Sequence, residues 1–280
     1  MIRTQKSPVR KTAKPLLLGL LAAFLALFVV FGLFRFNFCN PMEISWLRDI
    51  PVAHRGLHSA QFDENSMGAF ENAVRNGYAI EFDLRLTKDG IPVVFHDDDV
   101  LRVTGQTGKL SEMLLADVRK LKLPKSGESI PTFQELLDAV HGRVPLLVEV
   151  KNYGFPGKLE EETLKLLQGY RGKVAVQSYN PMVVNWFRRH APDIAAGLLL
   201  NDLGAVDNKF LRRVKDNLFT AMCSPNFLAY NYDRIDGGMM DVYRGNNVIV
   251  LGYVIKSEQI EPDNYISKVD NIIFEIIKSQ

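Results

Sequence analysis

In the segment Ile80-Glu81-Phe82-Asp83-Leu84-Arg85-Leu86, charged residues alternate with apolar ones. Successive side chains of a strand point to opposite faces, so Glu81, Asp83 and Arg85 share one face. A half-exposed antiparallel strand shows the same alternation. In a closed core, two inward carboxylates are costly unless a cation neutralises them. A hard divalent cation does so with oxygen ligands. Glu149 has a similar setting, at the end of the apolar run Leu146-Leu147-Val148, with Lys151 on the same face. Buried Glu and Lys are rare unless paired. This pair is therefore either an ion pair at a rim, or a third metal ligand beside a fixed positive charge.

Two histidines also end apolar runs. Pro51-Val52-Ala53 leads into His54-Arg55-Gly56, and Val93-Val94-Phe95 leads into His96-Asp97. The turn Lys88-Asp89-Gly90 joins the second run to the acidic strand, which puts His96 near Glu81 and Asp83. Either histidine alone reads as a loop or core residue; together they suggest chemistry. His58 lies in the loop after the first cluster. His141 and His190 fall at helix ends, where a cation complements the dipole, and they carry less weight.

The elements that must position these groups alternate along the chain. Strands are expected over Pro51–His54, Ala79–Leu86, Pro92–His96, Pro145–Lys151, Val174–Ser178, Ala195–Leu200, Phe219–Cys223, Asn247–Val254 and Asn271–Glu275. Helices are expected over Asn65–Asn76, Ser111–Leu121, Thr132–His141, Lys158–Tyr170, Pro181–His190, Asn208–Asn217 and Gly237–Arg244, with Asn65 capping the first and Gly77 ending it. Strands that are apolar throughout, each followed by a helix, imply parallel strands covered by helices. About eight such units fit an α/β fold of the (β/α)₈ TIM-barrel type, whose sites form at the C-terminal strand ends. A doubly wound open sheet is the alternative, but no Gly-rich nucleotide loop follows the first strand.

The chain has 280 residues, 47% of them hydrophobic and 24% charged, as expected for a packed core. Its net charge of +2 is unevenly placed. Arg3, Lys6, Arg10, Lys11, Lys14 and Arg35 precede any acidic residue; without those six the remainder carries about −4. No basic face for nucleic acid is evident. Pro15 to Phe34 is uncharged and rich in Leu, Ala, Phe and Val. Twenty helical residues span a hydrocarbon core of about 30 Å. The run is longer than a signal-peptide core and ends without small residues, so an uncleaved transmembrane anchor is expected. The predicted organisation is a basic cytoplasmic tail (1–14), an anchor (15–36), a connector (37–50) and a barrel domain (51–280). The positive-inside rule keeps the tail cytoplasmic and the barrel outside. Cys39 and Cys223 lack any metal spacing and are expected as free thiols.

The clusters, in their order, resemble the glycerophosphodiester phosphodiesterase family. The resemblance runs from about Val52 to Glu275 and is strongest from His54 to Thr132. Its elements are His54-Arg55-Gly56, Glu64-Asn65-Ser66, Glu81-Phe82-Asp83, Lys88-Asp89-Gly90, Val94-Phe95-His96-Asp97, Leu101-Arg102-Val103-Thr104 with Gly108, Ile130-Pro131-Thr132 and Glu149-Val150-Lys151. The resemblance implies a barrel in which Glu81, Asp83 and Glu149 hold a divalent metal, Ca²⁺ or Mg²⁺. It implies that His54 and His96 are the acid–base pair; Arg55 and Lys151 are expected to stabilise the charge that gathers on the phosphoryl oxygens. The chain departs from the family pattern at Asp63, where a proline is common. It departs again at Tyr253, where a pocket-lining Trp is usual, and at Glu275, where Asp is frequent. It also stops five residues after Glu275, short of a full closing helix; either residues 40–50 cover that gap or the barrel is less stable than usual.

The implied reaction is metal-dependent hydrolysis of glycerophosphodiesters to glycerol 3-phosphate and an alcohol, the hydroxyl beside the phosphate attacking first to give a cyclic phosphate. Lysophospholipase D-like action on lysolipids or on polymeric glycerophosphates is the nearest alternative. A membrane-tethered binding protein that has lost catalysis is a second. A scaffold would have no reason to aim three carboxylates and two histidines at one rim.

Overall fold

Short runs of Val, Ile, Leu and Ala bounded by turn residues build the strands, and amphipathic stretches between them build the helices. The computed structural model describes residues 18–26, 44–200, 208–235, 243, 245, 247–257 and 268–276. Its strands are β1 (Val52–Ala53), β2 (Ala79–Leu86), β3 (Pro92–Val94), β4 (Leu146–Val150), β5 (Val174–Ser178), β6 (Ala195–Leu200), β7 (Phe227–Asn231), β8 (Ile249–Ser257) and β9 (Asn271–Ile276). Neighbours pair in parallel from β2 through β4 to β9, and β1 pairs with both β9 and β2. The result is a closed α/β barrel of eight parallel strands. β3 stands outside the ring, as the antiparallel arm of a hairpin on β2.

Two apolar layers hold the barrel. Outward residues such as Ile80, Phe82, Leu84, Leu146, Val148 and Val176 pack with the surrounding helices, including Phe133, Leu136 and Phe187. Inward residues at the N-terminal strand ends, Val52, Ala79, Leu147, Ala175, Ala195, Phe227 and Ile249, fill the bore. Ile44, Trp46 and Leu47 join this inner cluster, so the connector closes the bottom of the barrel. Asn271 at the start of β9 donates to the carbonyls of Leu47 (2.9 Å) and Ile50 (2.7 Å) and pins it there. A third cluster lies in the excursion after β3, where Val93, Phe95, Val100, Leu110, Val118, Leu121 and Ile130 pack together.

Several expectations need correction. Phe219–Cys223 is not a strand; it finishes a helix over Lys209–Cys223. A short apolar run does not by itself distinguish strand from helix. The hydroxyl of Thr220 donates to the Asp216 carbonyl and the Cys223 thiol to that of Phe219, both four residues back as a helix requires. The barrel strand is instead Phe227–Asn231. The helix expected over Ser111–Leu121 is broken into a 3-10 turn, Leu110–Glu112, and one α turn, Leu115–Val118. Asn65 is not a cap: the Ser66 side chain accepts from the Ala69 N–H, and helix Met67–Arg75 starts after it. The helix expected over Gly237–Arg244 lies mostly outside the described residues. Cys223 is a buried free thiol, and Cys39 lies outside the described residues.

Of the expected anchor, residues 18–26 are helical and exposed, and the rest lies outside the described residues. Among the described residues, no helix is long and apolar enough to cross a membrane.

Gly197 faces the bore in register with Phe227. A Cβ there would stand 2.2 Å from the Phe227 ring. Replacing Gly197 with Ala is expected to cost about 1–3 kcal/mol through overpacking, read as a lower midpoint in urea unfolding with an unchanged slope.

Candidate active site

Parallel register carries the acidic face of β2 onto its neighbour. Asp83 lies opposite Glu149, and Glu149 opposite Gln177, so all three project to one side. Glu81, Asp83 and Glu149 each place an oxygen within 4.8 Å of the others, and all are buried. Burial and the neighbouring carboxylates push Glu81 well above the usual range. Burial pushes Glu149 up to about 7, with Asp83 adding to the rise and Lys151 opposing it. Asp83 is held low: its burial is outweighed by the Lys151 and Arg55 charges. The Lys151 ammonium donates to Glu149 (2.8 Å) and lies 3.2 Å from Asp83 Oδ1, yet no hydrogen bond is aligned on that oxygen. Crowded buried carboxylates with one under-satisfied oxygen fit a hard divalent cation. The Lys151–Glu149 ion pair is present, and Glu149 also stands among the three carboxylates that could hold a metal ion.

The turn after β1 brings the first histidine to these carboxylates. The His54 N–H continues the ladder onto the Phe274 carbonyl. The chain then reverses through Arg55 (φ 55°) and Gly56 (φ 77°). At Gly56 a Cβ would stand 2.9–3.0 Å from Phe70 and Ala69, so this position requires glycine. The turn aims the Arg55 N–H at Glu81 Oε2 (3.0 Å). The guanidinium reaches Glu64 (2.8 Å) and lies 3.4 Å from Asp83. Asn65, also at positive φ, donates to Asp83 Oδ2 (2.8 Å).

The hairpin delivers the second histidine. The Phe95 N–H bonds the Asp83 carbonyl, which leaves His96 at the rim. His54, Arg55, Glu81, His96, Glu149, Lys151 and Tyr253 line one cleft of about 420 Å³ at the C-terminal strand ends. Asp83 is fully buried beside them. Tyr253 donates its hydroxyl to the Leu200 carbonyl (2.6 Å) and meets Tyr179 edge to face. Burial lowers both histidine pKa values. His141 and His190 lie at helix ends, away from this cleft.

Glu275 was not assigned a role from sequence. It sits 2.6 Å from His54 Nδ1, with His58 3.8 Å and Lys256 3.5 Å away. Although partly buried, its carboxylate is held below the usual range by the hydrogen bond with His54 and by the nearby His58. Asp97 matches it, 2.5 Å from His96 Nδ1. Each histidine thus has a carboxylate behind it. The signal in sequence was a lone acid ending the apolar strand Ile272-Ile273-Phe274, where barrel sites form. Asp63, where a proline was the expected residue, accepts from the N–H groups of Lys125 and Ser126 and ties the Glu64-Asn65 loop in place.

Residues 54–259 match the model of the glycerophosphoryl diester phosphodiesterase family. A glycerophosphodiester phosphodiesterase of Caldanaerobacter subterraneus is 32% identical over 165 residues, 55% of this chain and 67% of its own. One from Bacillus subtilis is 26% identical over 237 residues, 75% of this chain and 78% of its own. Among solved structures, a phosphodiesterase of Oleispira antarctica in complex with the product sn-glycerol 3-phosphate superposes with a TM-score of 0.68. That pair is 23% identical and covers 80% of this chain and 91% of the other. The family match takes in the cleft residues from His54 through Glu149 to Tyr253, and the fold agrees. The chain therefore belongs to the glycerophosphoryl diester phosphodiesterase family and is a phosphoric diester hydrolase.

Proposed function

We propose that this chain hydrolyses small glycerophosphodiesters to glycerol 3-phosphate and an alcohol, with Glu81, Asp83 and Glu149 as ligands of a Ca²⁺ or Mg²⁺ ion. The observation that carries this reading is the meeting of three buried carboxylates and two carboxylate-backed histidines in one cleft. When bound, the cation supplies Lewis-acid stabilisation of phosphoryl charge. Arg55 and Lys151, both largely buried, present further positive charge to the same cleft, where a low local dielectric strengthens it. Tyr253 lines the wall and shapes the space for substrate.

The histidines handle the protons. Hydrolysis takes one from the nucleophile and gives one to the leaving alkoxide. Burial lowers the pKa of both rings, which favours the base form that takes a proton; the ring that acts as acid enters the reaction protonated on both nitrogens. A carboxylate at Nδ1 fixes the proton on that nitrogen, which leaves Nε2 as the exchanging atom in each ring. Glu275 does this for His54, and Asp97 for His96.

The uncharged run from Pro15 to Phe34 supports a membrane tether, and the preceding basic residues support a barrel outside the cytoplasm. Protease added to intact cells is then expected to degrade the barrel; a protected barrel would reverse the orientation.

The reaction is tested on the full chain in detergent, stripped by chelator and assayed on glycerophosphocholine with Mg²⁺ or Ca²⁺ restored. Turnover is expected only with metal, and His54→Ala and His96→Ala are each expected to lower kcat by about 10²–10⁴-fold. Turnover on lysophosphatidylcholine alone would move the substrate to lysolipids. Turnover without metal would remove the metal-site reading. Glu275→Gln keeps the shape but not the charge behind His54, and is expected to lower kcat by about 10–100-fold with little change in thermal midpoint.

A further inference from the structure

Arg102 sits on a short helix, Leu101–Thr104, that the catalytic reading does not use. Gly105, in the left-handed conformation, ends that helix. Val100 and Val103 sink into the same cluster as Val93 and Phe95. Arg102 and His96 are thus carried by one packed unit. The Arg102 guanidinium then faces two carboxylates at once. Its Nε donates to Asp97 Oδ2 (2.5 Å), and its terminal nitrogens donate to the two oxygens of Glu64 (2.6 and 2.9 Å). Asp97 is the partner of His96 Nδ1 (2.5 Å), and Glu64 Oε1 accepts from Arg55 (2.8 Å). Glu64 comes from the loop after β1, and β1 pairs with β2, whose hairpin leads to His96 and Asp97.

We propose that Arg102 is a positioning residue: by bridging Asp97 and Glu64 it locks His96 and Arg55 into one arrangement at the rim of the cleft. This rests on the reading of His96 and Arg55 as catalytic groups. His96 and Arg55 line the cleft, whereas Asp97, Arg102 and Glu64 do not, so the bridge acts through the groups it holds. The planar fork of arginine reaches two carboxylates with aligned donors; a lysine ammonium offers one point of charge. The Arg102 side chain is half exposed, so its ion pairs add little to global stability. Its loss should therefore appear in alignment, where a displacement of about 1 Å costs about 10²-fold.

The test uses the full chain on glycerophosphocholine, with whichever of Mg²⁺ or Ca²⁺ supports turnover. It measures kcat, KM and thermal midpoint for Arg102→Ala, Arg102→Lys, Asp97→Asn and the double variant Arg102→Ala/Asp97→Asn, with His96→Ala as reference. Arg102→Ala is expected to lose tenfold or more in kcat with its thermal midpoint within about 3 °C of the parent. Arg102→Lys is expected to recover little of that loss. The double variant is expected to fall near the worse single variant, because the two residues act as a unit. An Arg102→Ala kcat within about twofold of the parent, full rescue by Lys, or additive losses would each overturn the bridge. So would a kcat loss that tracks a large fall in thermal midpoint. If His96→Ala itself retains activity, the catalytic reading fails and the bridge with it; if His96→Ala is inactive and Arg102→Ala is not, only the bridge fails.

Discussion

Three carboxylates share the upper part of the barrel bore, and the rest of the site follows from that burial. Isolated, such charges would protonate or unfold the strands that carry them. Each is instead met by a specific donor. Lys151 reaches two of them, the Arg55 N–H meets Glu81, and Asn65 donates to Asp83. Arg55 and Asn65 come from the same loop, both at positive φ and joined by the Asn65 N–H to Arg55 carbonyl bond. Backbone strain at functional sites persists where the surroundings over-determine it. Here the surroundings are the carboxylates themselves. The balance is left incomplete, with Glu149 pushed up to about 7 and Asp83 Oδ1 short of an aligned donor.

Division of labour along the strands allows this. Their first halves carry Ala, Leu, Val and Phe into the bore and supply apolar packing. Their last residues carry the polar groups. Parallel register makes the layers coincide, so a residue two steps along a strand passes from a dry layer to the reactive one. Leu147 and Glu149 on β4 show the change, as do Ala175 and Gln177 on β5.

Much of this was legible in the chain. The alternation in β2 gave the inward acids because period-2 patterning survives in any sheet, and the strand ends gave both histidines. Three kinds of information were not local. Phe219–Cys223 misled because a five-residue apolar run carries no period long enough to separate a strand from a helix end. Glu275 lies 221 residues from His54 in sequence, and only closure of the barrel brings them together. Asn65 looked like a helix cap from its residue type; its role depends on the left-handed turn that aims it at Asp83.

The connector at the barrel's base bears on how the enzyme meets its surroundings. Ile44, Trp46 and Leu47 plug the end of the bore opposite the cleft, and Asn271 fastens them there. The polypeptide therefore enters the barrel at its closed end. A load applied through the N-terminus would pull on the plug and on β9 before it reached the strand ends that carry the site.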